Sequence, residues 1–383
     1  MFMNCRRVKK WHFLQLVSMC CVMSVLMVCW DHVDNQVVSH VKSYSYRYLI
    51  NSYDFISKSL SVSPEQAARF GSYPYLLNNK DICKDKDILL LLFVKSSPRN
   101  FRRRQAIRST WGNESYIRHK LGVIIKVVFV MGVHPDVHTD SLLQKIMHKE
   151  LFKEHMNHGD LVQQDFLDTF HNLTVKLLLQ FRWMHENCVH THFLMSADDD
   201  VFIHLPNLVR YLQDLRRQNV RNLWVGHVHR GSPPIRRRDS KYYMPFDMYQ
   251  WSSYPDYTAG AGYVVSGDVA AKIYQATLSL NASIYIDDVF MGICAIVAGV
   301  SPQEHVYFSG EGKTPYHPCI YEKMITSHGH EDDMKYLWEV ATAPQVEGIS
   351  SGLVGKLYCT TMKMKLLCMP YIRNTYSCLA AFT

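Results

Sequence analysis

The chain has 383 residues, 48% hydrophobic and 20% charged, with a formal net charge of +8. Length and apolar content suit one large or two modest globular domains. The moderate positive charge suits phosphate-bearing ligands or anionic lipid; without zinc-finger spacing, an RNA-binding signature or a long Lys/Arg block, no nucleic-acid partner is expected.

The N-terminus reads as a membrane anchor. Arg6, Arg7, Lys9 and Lys10 precede Phe13–Trp30, 18 residues without a charged side chain. As a helix rising about 1.5 Å per residue it would span roughly 27 Å, near the thinner membranes of the early secretory route. The basic flank comes first, so the positive-inside rule leaves residues 1–12 cytosolic and everything beyond residue 30 luminal. No small-residue cleavage site stands near Met27–Trp30, which favours an uncleaved signal anchor at 13–30 over a cleavable signal peptide. Asn113, Asn172 and Asn281 head three N-glycosylation sequons, in keeping with a luminal body. Cys83, Cys188, Cys294, Cys319, Cys359, Cys368 and Cys378 lie beyond the anchor. Six can pair in an oxidising lumen, in any of fifteen connectivities, and the seventh is left over.

Residues 31–84 mix polar and aromatic residues without a strong period and read as a luminal stem that packs in part onto the body. From residue 85 the pattern alternates. Ile88–Val94 is a continuous apolar run, suited to a strand buried on both faces, and Val123–Met131 reads as a second buried strand. Arg103–Trp111, Asp140–Glu154, Asn172–Glu186 and Pro206–Arg217 read as helices, the last with proline near its first turn. Leu223–Gly226 is a further short strand. This alternation predicts an α/β fold with a mostly parallel central sheet covered by helices. Gly231–Tyr254, rich in Pro, Arg and Tyr, reads as a long loop of the kind that carries function. Ala259–Ser266 sets two glycines before a strand, as where backbone approaches something closely. Asp268–Leu280, capped by Asp268, and Ile286–Ala298, closed by Gly299, read as helices. No clean boundary divides 85–383. It reads as one domain with two lobes, about 85–230 and 231–340, and a cysteine-containing tail over 341–383.

Phe193–Ser196 reads as a buried strand that delivers Asp198, Asp199 and Asp200 to a crevice, the edge where open α/β sheets bind ligands. Three adjacent carboxylates repel one another, and burying them requires donors or a cation. Hard carboxylate oxygens suit Mg²⁺ or Mn²⁺. The alternative is a solvated acidic turn before a helix. An EF-hand loop is excluded, because Ile203 and Val209 stand where glycine and glutamate belong. Asp287 and Asp288 open a helix and either cap it or supply a general base. His317, His328 and His330 follow, as candidate imidazole ligands or ordinary polar residues.

Five motifs stand in order. They are Arg103-Arg104-Gln-Ala-Ile-Arg108-Ser-Thr-Trp111-Gly112; Gln164-Asp165-Phe166 with Asp168 and Asn172-Leu-Thr-Val-Lys176; Asp198-Asp199-Asp200-Val-Phe; Tyr254-Pro-Asp-Tyr257-Thr-Ala-Gly260; and Asp287-Asp288-Val-Phe-Met-Gly292. Spanning about 88–330, this series resembles the Golgi beta-1,3-glycosyltransferases, which include galactosyl- and N-acetylglucosaminyltransferases. The resemblance implies a GT-A type nucleotide-binding α/β sandwich. It implies that Asp198–Asp200 is the family's DxD motif, with Asp200 and Asp198 at Mn²⁺ and His328, or else His330, as the ligating histidine. By the same resemblance Arg104, Arg108, Asp165, Lys176, Asp198 and Asp199 fall on the donor side. Tyr254, Tyr257, Gly260 and Asp287 fall on the acceptor side, and Asp288 matches the catalytic base.

Residues 43–55, 308–321 and the tail resemble the branch of that family that moves N-acetylglucosamine from UDP-GlcNAc to the terminal galactose of lactosylceramide at the luminal membrane face. That reaction starts the lacto- and neolacto-series glycolipids. An alpha-linked UDP-sugar giving a beta linkage implies inversion by a single displacement, with one base and one leaving-group stabiliser. The resemblance also implies a single-pass type II protein of the Golgi membrane, open to association with itself or with other Golgi transferases. The alternatives are N-acetyllactosamine chains as acceptor, UDP-galactose as donor, a luminal phosphohydrolase, or a non-catalytic membrane lectin. Leu353–Leu379 interleaves Lys356, Lys363, Lys365 and Arg373 with apolar residues. It reads as a segment lying against the bilayer or as a cysteine-stapled flap.

Overall fold

The computed structural model describes residues 11–25, 45–69, 72–84, 87–138, 141–368 and 375–383. In chain order its strands are β1 Tyr75–Leu77, β2 Leu90–Lys95, β3 Ile125–Val133, β4 Leu161–Leu167, β5 Phe193–Asp198, β6 Phe202–Ile203, β7 Trp224–His229, β8 Tyr257–Ser266, β9 Gln303–Glu304 and β10 Thr326–Ser327. Eight of them form one sheet in the order β1-β4-β3-β2-β5-β8-β7-β9, and β6 pairs separately with β10. The centre, β4-β3-β2-β5, is parallel. β1 and β8 add to it antiparallel at either side, and β7 runs antiparallel to β8.

The apolar runs become central strands because both sheet faces are covered. Along β2 the side chains alternate between two cores, since strand residues point to opposite faces in turn. Leu91 and Phe93 join the core under the helices Leu173–Asn187, Gly267–Thr277 and Asp287–Val297. Leu90, Leu92 and Val94 join the core that holds Ile107, Trp111, Leu208, Leu212 and Leu337. All of these strand side chains are fully buried, each contributing about 1.5–3 kcal/mol of transfer free energy. β2 and β5 pair in register, with Lys95 opposite Asp198. The two strands therefore end together, and their last residues share one edge of the sheet.

Several expectations change. β4 was hidden by its own polar residues: Gln163 and Gln164 are buried, and the Gln163 amide donates to Gly132 O at 2.9 Å. The two glycines near Ala259 lie inside β8 rather than before it. Ser266, not Asp268, is the N-cap of the Gly267–Thr277 helix; Asp268 accepts from Ser266 Oγ at 2.6 Å. The 31–84 segment contributes more than packing: residues 45–52 are helical, as are Phe55–Ser59 and Pro64–Arg69, and β1 extends the sheet.

Disulfides join Cys83 to Cys188, Cys319 to Cys359 and Cys368 to Cys378, and Cys294 is a buried free thiol. The tail forms the helix Gly352–Leu367, stapled by Cys359. Lys363 faces inward and donates to Tyr307 Oη at 2.8 Å and Thr383 O at 3.0 Å, so it is not one of the cations expected to meet a bilayer. Arg373 lies outside the described residues. Residues 11–25 are helical, but no described helix is long and apolar enough to cross a membrane. Residues 26–30 of the expected span lie outside the described residues.

Candidate active site

One buried cation organises the sheet edge. Lys95 Nζ lies 3.1 Å from Asp198 Oδ1 and 3.0 Å from Asp287 Oδ2, and it donates to Gly260 O at 3.0 Å. It thereby joins the acidic cluster at the end of β5 to the acidic pair that opens the Asp287–Val297 helix. Burial works against the ammonium, but the Asp198 and Asp287 carboxylates outweigh it and hold its pKa above the ordinary lysine range. The close backbone approach expected at the glycines is this contact of Lys95 with Gly260.

The three consecutive aspartates do different things. Asp199 is buried and fully engaged: it accepts from Ser96 Oγ at 2.7 Å, Asn100 Nδ2 at 2.8 Å and Arg103 Nη1 at 3.0 Å. Arg103 also reaches Glu331 at 2.8 Å, tying the turn to the 331 loop. Asp198, Asp200 and His328 turn toward one another, with one ligand atom from each inside a 4.8 Å sphere of mutual distances. His328 Nε2 stands 3.4 Å from Asp200 Oδ1, and that oxygen is buried without a hydrogen bond among the described residues. Burial raises the Asp198 carboxyl above its usual range, with Lys95 opposing. Burial pushes Asp200 the same way, but the facing His328 and then Arg103 hold it low. The facing Asp200 carboxylate correspondingly raises His328, against burial. Two carboxylates and an imidazole around an orphaned oxygen are a donor set that fits a divalent cation.

His330 is placed differently. It is buried, with Nε2 at 2.6 Å from Ser327 Oγ and Nδ1 at 3.1 Å from Asp333 Oδ1, and its backbone N–H donates to Asp200 O at 2.7 Å. Of the two histidines, His328 is the one brought to the carboxylates, and His330 braces the loop behind it. His317 caps the helix Pro318–Tyr321.

Across Lys95, Asp288 Oδ1 accepts from Val289 N at 2.8 Å, and its other oxygen faces Gly260. Burial, then the neighbouring Asp287 charge, pushes the Asp288 carboxyl up to about 7, against the pull of Lys95. Tyr254 and Tyr257 lie close enough to feel Asp288. Burial first, and that charge in addition, raise both phenols, so they stay protonated. The Tyr254 hydroxyl is buried without a hydrogen-bond partner among the described residues.

The chain matches the family model described as galactosyltransferase over residues 102–306. It is 83% identical over 383 residues, all of both chains, to lactosylceramide 1,3-N-acetyl-beta-D-glucosaminyltransferase A of Danio rerio. It is 57% identical to the lactosylceramide 1,3-N-acetyl-beta-D-glucosaminyltransferase of Xenopus tropicalis over 383 residues, again all of both chains. Identity to the rat protein of that name is 55% over 382 residues, 100% of this chain and 99% of the other.

The chain belongs to the galactosyltransferase family.

The expected donor-side residues do not all converge. Arg104 is wholly buried. It grips Glu154 through Nε at 2.8 Å and Nη2 at 2.7 Å, and it donates to Ser96 Oγ, Ser97 O and Pro98 O. Arg108 pairs with Glu154 and Asp160 at 2.7 Å each. Lys176 bonds Ser96 O at 2.9 Å and Asp168 at 2.7 Å. Arg104 and Lys176 thus hold the 96–98 loop from beneath, and Ser96 in turn donates to Asp199; Arg108 instead ties the end of the Phe101–Arg108 helix to Glu154 and Asp160. Asp165 is exposed on β4, with β3 between that strand and β2, which carries Lys95. Asn113, Asn172 and Asn281 are half-buried, Asn113 at the N-cap of a short helix and Asn172 at the end of a 3-10 turn of helix.

Lys95, Ser96, Asn100 and Arg103 escaped the sequence reading as site residues. Lys95 had one signal, a lysine closing an apolar run that otherwise lacks charge.

Proposed function

We propose that the chain moves N-acetylglucosamine from UDP-GlcNAc to the terminal galactose of lactosylceramide in a beta-1,3 linkage, with inversion, on a GT-A type fold. What supports the acceptor and donor most is full-length identity of 83% to a relative that bears lactosylceramide and N-acetylglucosaminyl in its name. Asp198, Asp200 and His328 would hold the divalent ion, Mn²⁺, which when bound supplies Lewis-acid stabilisation to the departing diphosphate. Asp288 is the base. Its partner Asp287 is committed to Lys95, whereas Asp288 has a raised affinity for protons and lies beside the tyrosines of the acceptor side. The acceptor hydroxyl attacks the anomeric carbon as Asp288 takes its proton. The bond from that carbon to the UDP oxygen breaks on the opposite face, and UDP leaves. Lys95 keeps Asp198 and Asp287 compensated through the step. The protein acts as a single-pass type II protein of the Golgi membrane, anchored by residues 13–30, with its body luminal.

A donor-by-acceptor panel tests this reading. UDP-GlcNAc and UDP-galactose are each offered with lactosylceramide, a soluble lactoside and N-acetyllactosamine, with and without Mn²⁺. The expected result is transfer from UDP-GlcNAc to both lactose acceptors, lost in Asp200→Ala. Donor cleavage that ignores the acceptor would make the protein a phosphohydrolase. Glycan binding without transfer would make it a lectin.

A further inference from the structure

The segment before the catalytic body is fastened to the acceptor side. Arg47 grips Asp256 with both arms of its guanidinium, Nε to Oδ1 at 2.9 Å and Nη2 to Oδ2 at 2.6 Å. Asn51, one helical turn on, accepts from the Asp256 backbone N–H at 2.9 Å and donates to Arg47 O at 2.8 Å. The Asp256 side chain is only 12% exposed. Ile50 and Ile56 are fully buried in the same core as Tyr249, Tyr254, Tyr257, Val289 and Phe290. Phe55 packs on Trp251 with ring centroids 5.6 Å apart, and the Phe55–Ser59 helix lies against the Asp287–Val297 helix. The far end is clasped too, by Val62 N to Ser279 O at 3.0 Å and Asn281 N to Leu60 O at 2.8 Å.

Asp256 is well placed to transmit this grip. It stands between Tyr254 and Tyr257. Its carbonyl oxygen and the Tyr257 Cβ each lie 3.1 Å from where a Cβ on Gly292 would be, so the 255–257 backbone is pressed onto the helix that carries Asp288. A side chain at 292 would push that backbone outward by a few tenths of an ångström.

We infer that residues 45–60 are a positioning strap for the acceptor side, in which Arg47 and Asn51 fix Asp256 and, through it, set Tyr254 and Tyr257 beside Asp288. This rests on the transferase reading above. Arg47 and Asn51 touch no reacting atom in this scheme; they act through Asp256. A bidentate, largely desolvated arginine–carboxylate pair is strong and directional enough for that task.

The test uses the full chain and the variants Arg47→Ala, Arg47→Lys, Asn51→Ala and the exchanged pair Arg47→Asp with Asp256→Arg. In Arg47→Ala the KM for a soluble lactoside is expected to rise about tenfold, while donor KM and kcat at saturating acceptor stay within about twofold. Arg47→Lys keeps the charge without the fork and recovers part of the loss, and the exchanged pair recovers more than either single change. Hydrogen exchange of the Tyr257 and Thr258 amides, measured without substrate, is expected to quicken in Arg47→Ala while the Asp287–Val297 helix keeps its protection. Unchanged acceptor KM, or a parallel loss of donor binding and thermal stability, overturns the proposal. If wild-type protein transfers no sugar, the transferase reading fails by itself, and the exchange measurement alone then decides the strap.

Discussion

Asp287 and Asp288 are neighbours in sequence with opposite fates, and Lys95 separates them. Asp287 is bound to the ammonium at 3.0 Å, and the charge it holds is part of what lifts Asp288 toward neutrality. A base must be ionised to accept a proton, so the proposed transfer has an acidic limb. We expect kcat/KM to fall about tenfold per pH unit below the Asp288 pKa and to level off above it. Asp287→Asn removes the like charge and moves the limb to lower pH, while Asp288→Asn lowers kcat by about 10²–10⁴ with donor KM little changed. A limb that stays in place in Asp287→Asn would assign the titration to another group. Lys95→Met tests the bridge itself. It leaves Asp198 and Asp287 uncompensated, and we expect a stability loss of about 3 kcal/mol in urea unfolding, the lower end for a broken buried pair because Asp198 keeps some contact with solvent.

At the scale of elements, hydrophobic pattern revealed the strands that are apolar on both faces and concealed those that are not. β2, β3 and β5 were legible because burial on two sides demands unbroken Leu, Val, Ile and Phe. β4 was not, because Gln163 and Gln164 stand buried in its middle, and the Gly132 carbonyl that accepts from the Gln163 amide is brought there only by the fold. The acidic triplet and pair were legible as sites, since adjacent carboxylates stand out in any composition. Lys95 and Arg103 were not, because their partners lie 192 and 96 residues away. Cysteine pairing was illegible for the same reason. The Cys83–Cys188 bond closes a separation of 105 residues and ties the chain ahead of β2 to the C-cap of the Leu173–Asn187 helix. Cys368–Cys378 closes only 10. Chain entropy makes the longer loop the more stabilising by about 2 kcal/mol. Replacing Cys83 and Cys188 by serine should therefore lower unfolding free energy more than replacing Cys368 and Cys378, as denaturant titrations of the two double variants would register. Equal losses would point to strain or packing instead of loop closure.

For the molecule as a whole, the proposed acceptor is a membrane lipid, and only 14 residues, 31–44, separate the strap at 45–60 from the expected span that ends at Trp30. A fully extended chain of that length reaches about 50 Å at most, so an anchor at 13–30 would keep the acceptor side near the bilayer that carries its substrate. Three disulfides suit an oxidising compartment, and the four basic residues ahead of Phe13 would orient such an anchor with its N-terminus in the cytosol. In sealed microsomes, protease should remove an N-terminal epitope and spare a C-terminal one until detergent is added. Glycosidase treatment should increase the mobility of the spared form, and Asn113→Gln, Asn172→Gln and Asn281→Gln together should abolish that shift. Reversing the flank with Arg6→Glu, Arg7→Glu, Lys9→Glu and Lys10→Glu should leave a fraction of the chains inverted, unglycosylated and without their disulfides. A C-terminal epitope digested in intact vesicles of the unaltered protein would refute the type II orientation, and with it the supply of acceptor from the luminal leaflet.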